Sequence, residues 1–359
     1  MRHAISALFS ALSLGTLLSG CTVVGPDAIR SGRMAYNEAI TETNNQQMLM
    51  VMVHNRYEEA NHLLTVASVT ANVRVSGSAQ IEAGFGDADN YDGNLVPFSG
   101  GFVYEENPTI SYTPVTGEAY LGQIMSPLPL PVVARITRSL PRPEFAYSML
   151  ISSVNGIHNP AFLYEGQRDD PRFDRLVALM TGLTQRHCLH WVRRGNDPEA
   201  SDLLIEARGS CAPAVDELLA LLGLSEQGRE GTRVQIPVTL SEEAASPGGM
   251  TFSTRSIWEL VEIMSAAVQV PMADEHSGMV STLPEPGRPG RRLRIGYAES
   301  RPDTAYVAVE HRDSWFYIDQ ADLESKRYFK LLESLWTAAM AKALGVNANT
   351  PVLTVPVSR

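Results

Sequence analysis

A few groups of side chains have the types and spacing to do chemistry. His187 and His190 lie three positions apart with Cys188 between them, a spacing that would suit a metal on a helix. A helix end with histidines near its negative pole is the preferred reading. No second Cys/His cluster supports a metal there. Asp87, Asp89 and Asp92 with Gly93 form an acidic loop, but Tyr91 stands where a calcium loop needs an oxygen ligand. That stretch reads as a solvated hairpin tip. Asp319 and Asp322 precede Leu-Glu-Ser-Lys-Arg and could serve as paired carboxylates for general acid–base work. Just before a helix, however, Asp is the expected cap, and Asp322 and Lys326 form an i, i+4 pair. Arg288, Arg291, Arg292 and Arg294 crowd a Gly/Pro loop, as a solvated edge or as a contact for anionic lipid headgroups. The nucleophile elbow, the phosphate loop, the dinucleotide fingerprint and His-Glu-x-x-His do not occur. No catalytic residue, cofactor or metal ligand is assigned on these grounds. The chain reads as non-enzymatic, with an envelope enzyme or ligand-binding protein using Asp319 and Asp322 as the alternative.

The three cysteines, Cys21, Cys188 and Cys211, carry more information. The chain opens Met1-Arg2-His3, continues through an uncharged apolar run over residues 4–18, and reaches Leu18-Ser19-Gly20-Cys21. The apolar run has signal-peptide length and is short for a membrane span. This arrangement resembles the lipobox of bacterial lipoproteins. The resemblance implies cleavage between Gly20 and Cys21 and attachment of acyl chains, palmitate among them, at Cys21. Buried CH₂ groups then hold the protein at a bilayer with no spanning helix. Thr22 follows the cysteine, which in such lipoproteins implies the outer membrane, facing the periplasm. An oxidising periplasm makes Cys188 and Cys211 natural partners for a disulfide; two buried free thiols are the alternative.

Composition narrows the remaining choices. Of the 359 residues, 44% are apolar and 19% charged, enough apolar surface for two or three packed domains. Acidic residues outnumber basic ones by 40 to 29, giving a net charge of -11, which argues against a general nucleic-acid partner.

Periodicity predicts an α+β fold: an N-terminal helix, one long two-faced β-hairpin, then small strand–helix modules. Residues 21–35 read as a tether and residues 36–57 as a helix with Asn44-Asn45 as its weak point. Tyr36, Ala39, Ile40, Thr43, Met50, Val53 and Tyr57 recur there at helical spacing. From 71 to 85 the period changes to two. Ala71, Val73, Val75, Gly77, Ala79, Ile81, Ala83 and Phe85 alternate with Asn72, Arg74, Ser76, Ser78, Gln80, Glu82 and Gly84. That is a strand of about 50 Å. A second alternating run holds Val96, Phe98, Gly100, Phe102 and Tyr104, and residues 109–113 continue it.

Farther on, residues 117–125 and 143–154 read as helices. A longer helix carries Phe173, Leu176, Val177, Met180, Leu183, His187 and Trp191. Residues 203–208 and 234–240 read as strands, with a helix over 213–222 between them. Ser256 and Glu259 form a capping box ahead of Ile257, Leu260, Val261, Met264 and Val268. Strands follow over 292–298, 305–310 and 315–318, then a helix over 323–344 and a closing strand over 351–357. The expected division is a signal peptide over 1–20, a tether over 21–35, a helix-and-hairpin domain over 36–160, and modules over 161–245 and 246–359.

Several stretches carry a wider resemblance. They are Ala35-Tyr36-Asn37-Glu38-Ala39-Ile40, Arg56-Tyr57, residues 108–114, Trp315-Phe316-Tyr317-Ile318-Asp319 with residues 322–327, and residues 348–359. They resemble a family of uncharacterised bacterial lipoproteins whose members share the alternating hairpin. The resemblance implies no activity.

A hairpin with one apolar face must cover that face with protein or lipid. Ala71, Val73, Val75, Ala79, Ile81, Ala83, Phe85, Val96, Phe98, Phe102 and Tyr104 are its candidate membrane or oligomer residues. Their alternation is that of a transmembrane barrel strand. One hairpin cannot close its own edges in lipid, so a pore requires several protomers. The expectation is a lipid-anchored homo-oligomer with a scaffold or export role, with further envelope proteins as candidate partners.

Overall fold

The computed structural model describes residues 24–61, 64–70, 73–81, 98–106, 109–114, 118–163, 170–195, 201–225, 230–240, 248–287, 290–346 and 353–356. Gly20, Cys21, the acidic loop at Asp87, Asp89 and Asp92, and Arg288 lie outside them, as do Ala71, Ala83, Phe85 and Val96. The fold is α+β, with no closed barrel among the described residues. No helix among the described residues is long and apolar enough to cross a membrane. The chain divides into two compact units. One comprises Met1–Thr43, Leu64–Pro114 and Asn349–Arg359, the other Asn44–Leu63 and Val115–Ala348.

Helix α1 (Val24–Arg56) starts inside the segment expected to be a tether. Pro26 permits this, because in a first helical turn its missing N–H has no intrahelical partner to lose. Asn44-Asn45 does not break the helix; the chain passes from one unit to the other there. Asparagine costs only about half a kcal/mol against alanine within a helix, and the next turns are deeply buried. Met48, Leu49, Val51, Met52 and Val53 are all buried, so this stretch is surrounded rather than striped. The stripe expected at 36–43 is not a core face: Ala39 is exposed, and Tyr36 and Ile40 are half-buried.

In the first unit, β1 (Leu64–Thr70), β2 (Val73–Ile81), β3 (Phe98–Glu106) and β4 (Thr109–Pro114) form the arms of the hairpin. β2 and β3 pair antiparallel from Val73↔Glu106 to Ile81↔Phe98. β1 and β4 continue the arms, from Leu64↔Pro114 to Thr70↔Thr109. The arms therefore begin before the position where the clean alternation starts. The C-terminal strand, Leu353–Pro356, pairs antiparallel with β4.

The second unit opens with α2 (Glu118–Met125), α3 (Leu130–Ser139) and α4 (Pro143–Leu150). Residues 151–154, expected to extend α4, are instead β5 (Ile151–Val154), which turns into β6 (Ile157–His158). Asn155 and Gly156 both take positive φ, 46° and 76°, between the paired Val154 and Ile157. That is the two-residue turn that Asn-Gly favours, and it stops the helix. A short β7 (Phe162–Leu163) leads to α5 (Pro171–Gln185), begun by Asp170, whose side chain accepts from the Arg172 N–H. α5 ends at Gln185, six residues before the Trp191 to which the apolar spacing ran. His187 has φ 55°, and β8 (Leu189–Arg193) follows with Leu189 and Trp191 buried at period two. β9 (Ser201–Glu206), α6 (Ala212–Leu221), β10 (Arg233–Leu240) and β11 (Met250–Thr254) come next.

Six strands form the main sheet in the order β6-β5-β11-β10-β9-β8, antiparallel except for β10 and β11. The expected modules over 161–245 and 246–359 do not match it, because the sheet spans both 160 and 245. Most of its pairings join consecutive strands, but that of β5 with β11 is long-range and left no mark in local composition. α7 (Ile257–Ser265) carries the capping box of Ser256 and Glu259. After α8 (Met272–His276) and β12 (Glu285–Pro286), a three-stranded meander has the order β13 (Gly296–Ala298), β15 (Ser314–Asp319), β14 (Ala305–His311). The strand expected over 292–298 is confined to its last three residues. Helix α9 (Leu323–Val346) closes the unit.

Two links hold the second unit together. Cys188 and Cys211 form a disulfide. Arg255, fully buried, donates to the carbonyls of Ser148, Met149, Ile151 and Asn159. Ser148 and Met149 belong to the last turn of α4, where carbonyls lack helical partners and the dipole favours a cation. Asn159 Nδ2 donates to two of the same carbonyls, those of Ser148 and Ile151. Burial pushes the Arg255 guanidinium down to about 10, with Glu259 opposing the shift, so it stays charged at neutral pH.

Replacing Arg255 with methionine leaves these buried carbonyls short of donors. Urea unfolding should show a loss of at least about 3 kcal/mol. A loss under about 1 kcal/mol would contradict the assigned role. The disulfide spans a sequence separation of 23. The paired Cys188→Ser and Cys211→Ser variant should lose about 3 kcal/mol in the same assay. An unchanged midpoint would show that the bond does not constrain the unfolded chain.

Candidate functional site

The residues picked out from the sequence mostly have structural work. Asp319 Oδ1 accepts from the Ala321 N–H at 2.8 Å and Oδ2 from the Thr304 hydroxyl at 2.8 Å, which holds its carboxyl below the usual range. Asp322 accepts from the Ser325 N–H at 3.0 Å and from the Ser325 hydroxyl at 2.7 Å. Both carboxylates thus close the turn into α9. Lys326 turns to the Gln320 carbonyl at 3.0 Å and lies 4.8 Å from the Tyr306 ring centre. His187 and His190 do not share a helix; His190 Nε2 sits 2.9 Å from the His187 carbonyl oxygen.

The arginine-rich loop borders a cleft of about 1050 Å³. Arg142, Arg291, Arg292, Arg327 and Lys330 line it beside Glu144, Asp174 and Glu324. Three of these cations are matched: Arg142 meets Glu144 at 2.8 Å, Arg292 meets Glu324 at 3.5 Å and Arg291 meets Glu285 at 3.7 Å.

A denser cluster forms where α1 ends. The Glu59 N–H donates to the His54 carbonyl at 2.8 Å and the Glu58 N–H to that of Asn55 at 3.4 Å. Glu58 has φ 56°, so the helix closes in a Schellman motif with a non-glycine residue in the left-handed position. This turn folds the chain back and sets Glu59 beside His54. From the other side β14 ends on His311, and the two-residue turn into β15 supplies Arg312 at φ 53°.

Glu59 Oε1 accepts from Arg312 at 2.8 Å. Its Oε2 lies 3.4 Å from His311 Nε2 and 3.9 Å from His54 Nε2. Among the described residues, His54, Glu59 and His311 are the group of ligand-type side chains close enough to hold one metal ion, their donor atoms all within 4.8 Å. Tyr57 lies behind them. Its ring is 4.9 Å from that of His311 and 5.0 Å from the Arg312 guanidinium carbon, and its hydroxyl donates to Asp274 Oδ2 at 2.5 Å. Arg56, mostly buried, donates to the Ser281 carbonyl and lies 3.8 Å from Glu275.

The electrostatics follow from these contacts. The Arg312 hydrogen bond, against some desolvation, holds the Glu59 carboxyl below its ordinary range. Burial pushes His311 down, which keeps its imidazole neutral at neutral pH. Burial and then the hydrogen bond to Asp274 push the Tyr57 hydroxyl up.

Sequence reasoning missed this cluster. His54 and Glu59 have no motif spacing, and His311 is contributed by a distant strand. The only local hint was Arg56-Tyr57, which fell inside the lipoprotein resemblance without a role. Searches against protein-family models, curated proteins and solved structures find nothing that matches this chain.

Proposed function

We propose that this chain is an outer-membrane lipoprotein, anchored through acyl chains on Cys21 and facing the periplasm. Its hairpin assembles with hairpins of other copies into a scaffold or export-type pore. The observation that supports this reading is the β2/β3 register. Directly opposed residues of an antiparallel pair lie on one face. Val75, Gly77, Ala79 and Ile81 oppose Tyr104, Phe102, Gly100 and Phe98, so the alternating sets of both strands coincide there, while Val73 at the end opposes Glu106. The other face takes Arg74 opposite Glu105, Ser76 opposite Val103, Ser78 opposite Gly101 and Gln80 opposite Ser99.

A slip of one residue in the register would scatter the apolar set over both faces. Each strand of the paired stretch has 9 residues, close to the roughly 9–11 that a tilted barrel strand needs to cross a bilayer. Among the described residues no other strand pairs with β2 or β3. Two strands cannot satisfy their outer edges in lipid, and further copies of the same hairpin supply the missing partners. The acyl anchor would keep those copies in one plane at the membrane.

Two measurements test this reading. Cys21→Ala should abolish labelling by radioactive fatty acid and move the chain out of the membrane fraction; persistent labelling would contradict the anchor. Light scattering of the full chain in detergent should give a multimer. Val75→Asp, on the apolar face, should reduce the multimer to monomers, whereas Ser76→Asp should leave it intact. A monomeric wild type, or equal sensitivity at both positions, would sink the assembly.

A further inference from the structure

We propose that His54, Glu59 and His311 bind a divalent first-row transition metal of the zinc class, with one coordination position left open. The donor set is two imidazoles and one carboxylate, the combination that suits zinc and its neighbours rather than calcium or magnesium. His54 Nδ1 lies 3.2 Å from the Asn61 side-chain oxygen. That contact places the ring proton on Nδ1 and leaves the Nε2 lone pair facing Glu59 and His311. A hydrogen bond from the outer ring nitrogen to an oxygen is what metal-binding histidines usually make. His311 Nε2 is buried and has no hydrogen-bond partner, although its ring is held by Tyr57, His54 and Phe316. A metal would satisfy it.

The carboxylate is divided between two tasks. Oε1 is taken by Arg312, which fixes its orientation, and Oε2 is turned toward both imidazoles. Around a tetrahedral zinc with bonds near 2.1 Å, ligand atoms stand about 3.4 Å apart. Glu59 Oε2 and His311 Nε2 are already at 3.4 Å, and His54 Nε2 needs to close from 3.9 Å. Charge also favours a cation. Glu58, Glu59, Asp274 and Glu275 surround the cluster, against Arg56 and Arg312. The side chains of His54 and Glu59 remain 25% and 33% exposed while that of His311 is 11% exposed. One side of the site therefore faces solvent, where water or a ligand would complete the shell. Three protein ligands with an open position is the arrangement of zinc sites that exchange ligands rather than of closed structural ones.

The test uses the full chain, purified in detergent without a histidine tag, stripped with chelator and titrated with Zn²⁺ and with Co²⁺. One equivalent should bind per chain, and bound Co²⁺ should show the intense visible bands of four-coordination. His311→Gln, His54→Gln and Glu59→Gln should each weaken binding by more than roughly 100-fold, and Asn61→Ala by roughly 10- to 100-fold. His190→Gln should change nothing. Melting curves of the metal-free variants separate a lost ligand from a lost fold. Failure of the wild type to bind a stoichiometric metal, or retention of full affinity by His311→Gln together with Asn61→Ala, overturns the proposal without relying on any variant that fails to fold.

Discussion

The second unit depends on one buried cation. Arg255 enters a region with no solvent, where an uncompensated charge would be untenable. Its hydrogen bonds go to backbone carbonyls, those of Ser148, Met149, Ile151 and Asn159, and the Glu259 carboxylate adds an opposite charge. Two of those lie at the end of α4, and the others lie at the start of β5 and beyond β6. The same residue is built into the backbone: its N–H donates to the Leu150 carbonyl and its carbonyl accepts from the Leu128 N–H. Arg255 also stands directly between β11 and the Ser256 cap of α7. One side chain thus fixes where a helix stops, where an edge hairpin begins and where the next helix starts. The main sheet and the helices beside it cannot shift independently once that guanidinium is seated.

The cluster at the end of α1 follows a similar rule with side chains. Buried Met48–Val53 anchors the helix, and the Schellman turn at Glu58 then sets the direction in which Glu59 points. Arg312 and Tyr57 tie that turn to the β14/β15 hairpin, and Tyr57 ties it to α8 through Asp274. His311 is held at the centre by rings on several sides while its Nε2 stays without a hydrogen bond. The proposed metal site rests on that combination of ring contacts and an unpartnered Nε2.

What could be read from the sequence was what is encoded locally. The capping box of Ser256 and Glu259, the alternation of β10 and the two-faced stretch over β2 depend on neighbours a few residues away. Other local signals were present but outweighed. Asn155-Gly156 marked a hairpin turn, yet the apolar content of the residues before it read as a continuing helix. α3 was not read from the sequence at all; Pro131 sits in its first turn, where proline is at home. The main sheet could not be read as a whole, because the pairing of β5 with β11 joins strands far apart in the chain and leaves no local signal. Arg255 looks like any surface arginine until its burial is known. His54, Glu59 and His311 carry no spacing rule, so only the fold brings them together.

The proposed function rests on the hairpin and on the resemblance to a lipobox: a two-faced ribbon to which no further strand pairs among the described residues would, if held at a membrane, need copies of itself. Electron microscopy of the full chain, extracted in detergent with its acyl anchor intact, tests this most directly. The account predicts a closed ring of subunits with density for the hairpins gathered on its axis. Isolated single particles, with no ring at any concentration, would contradict it.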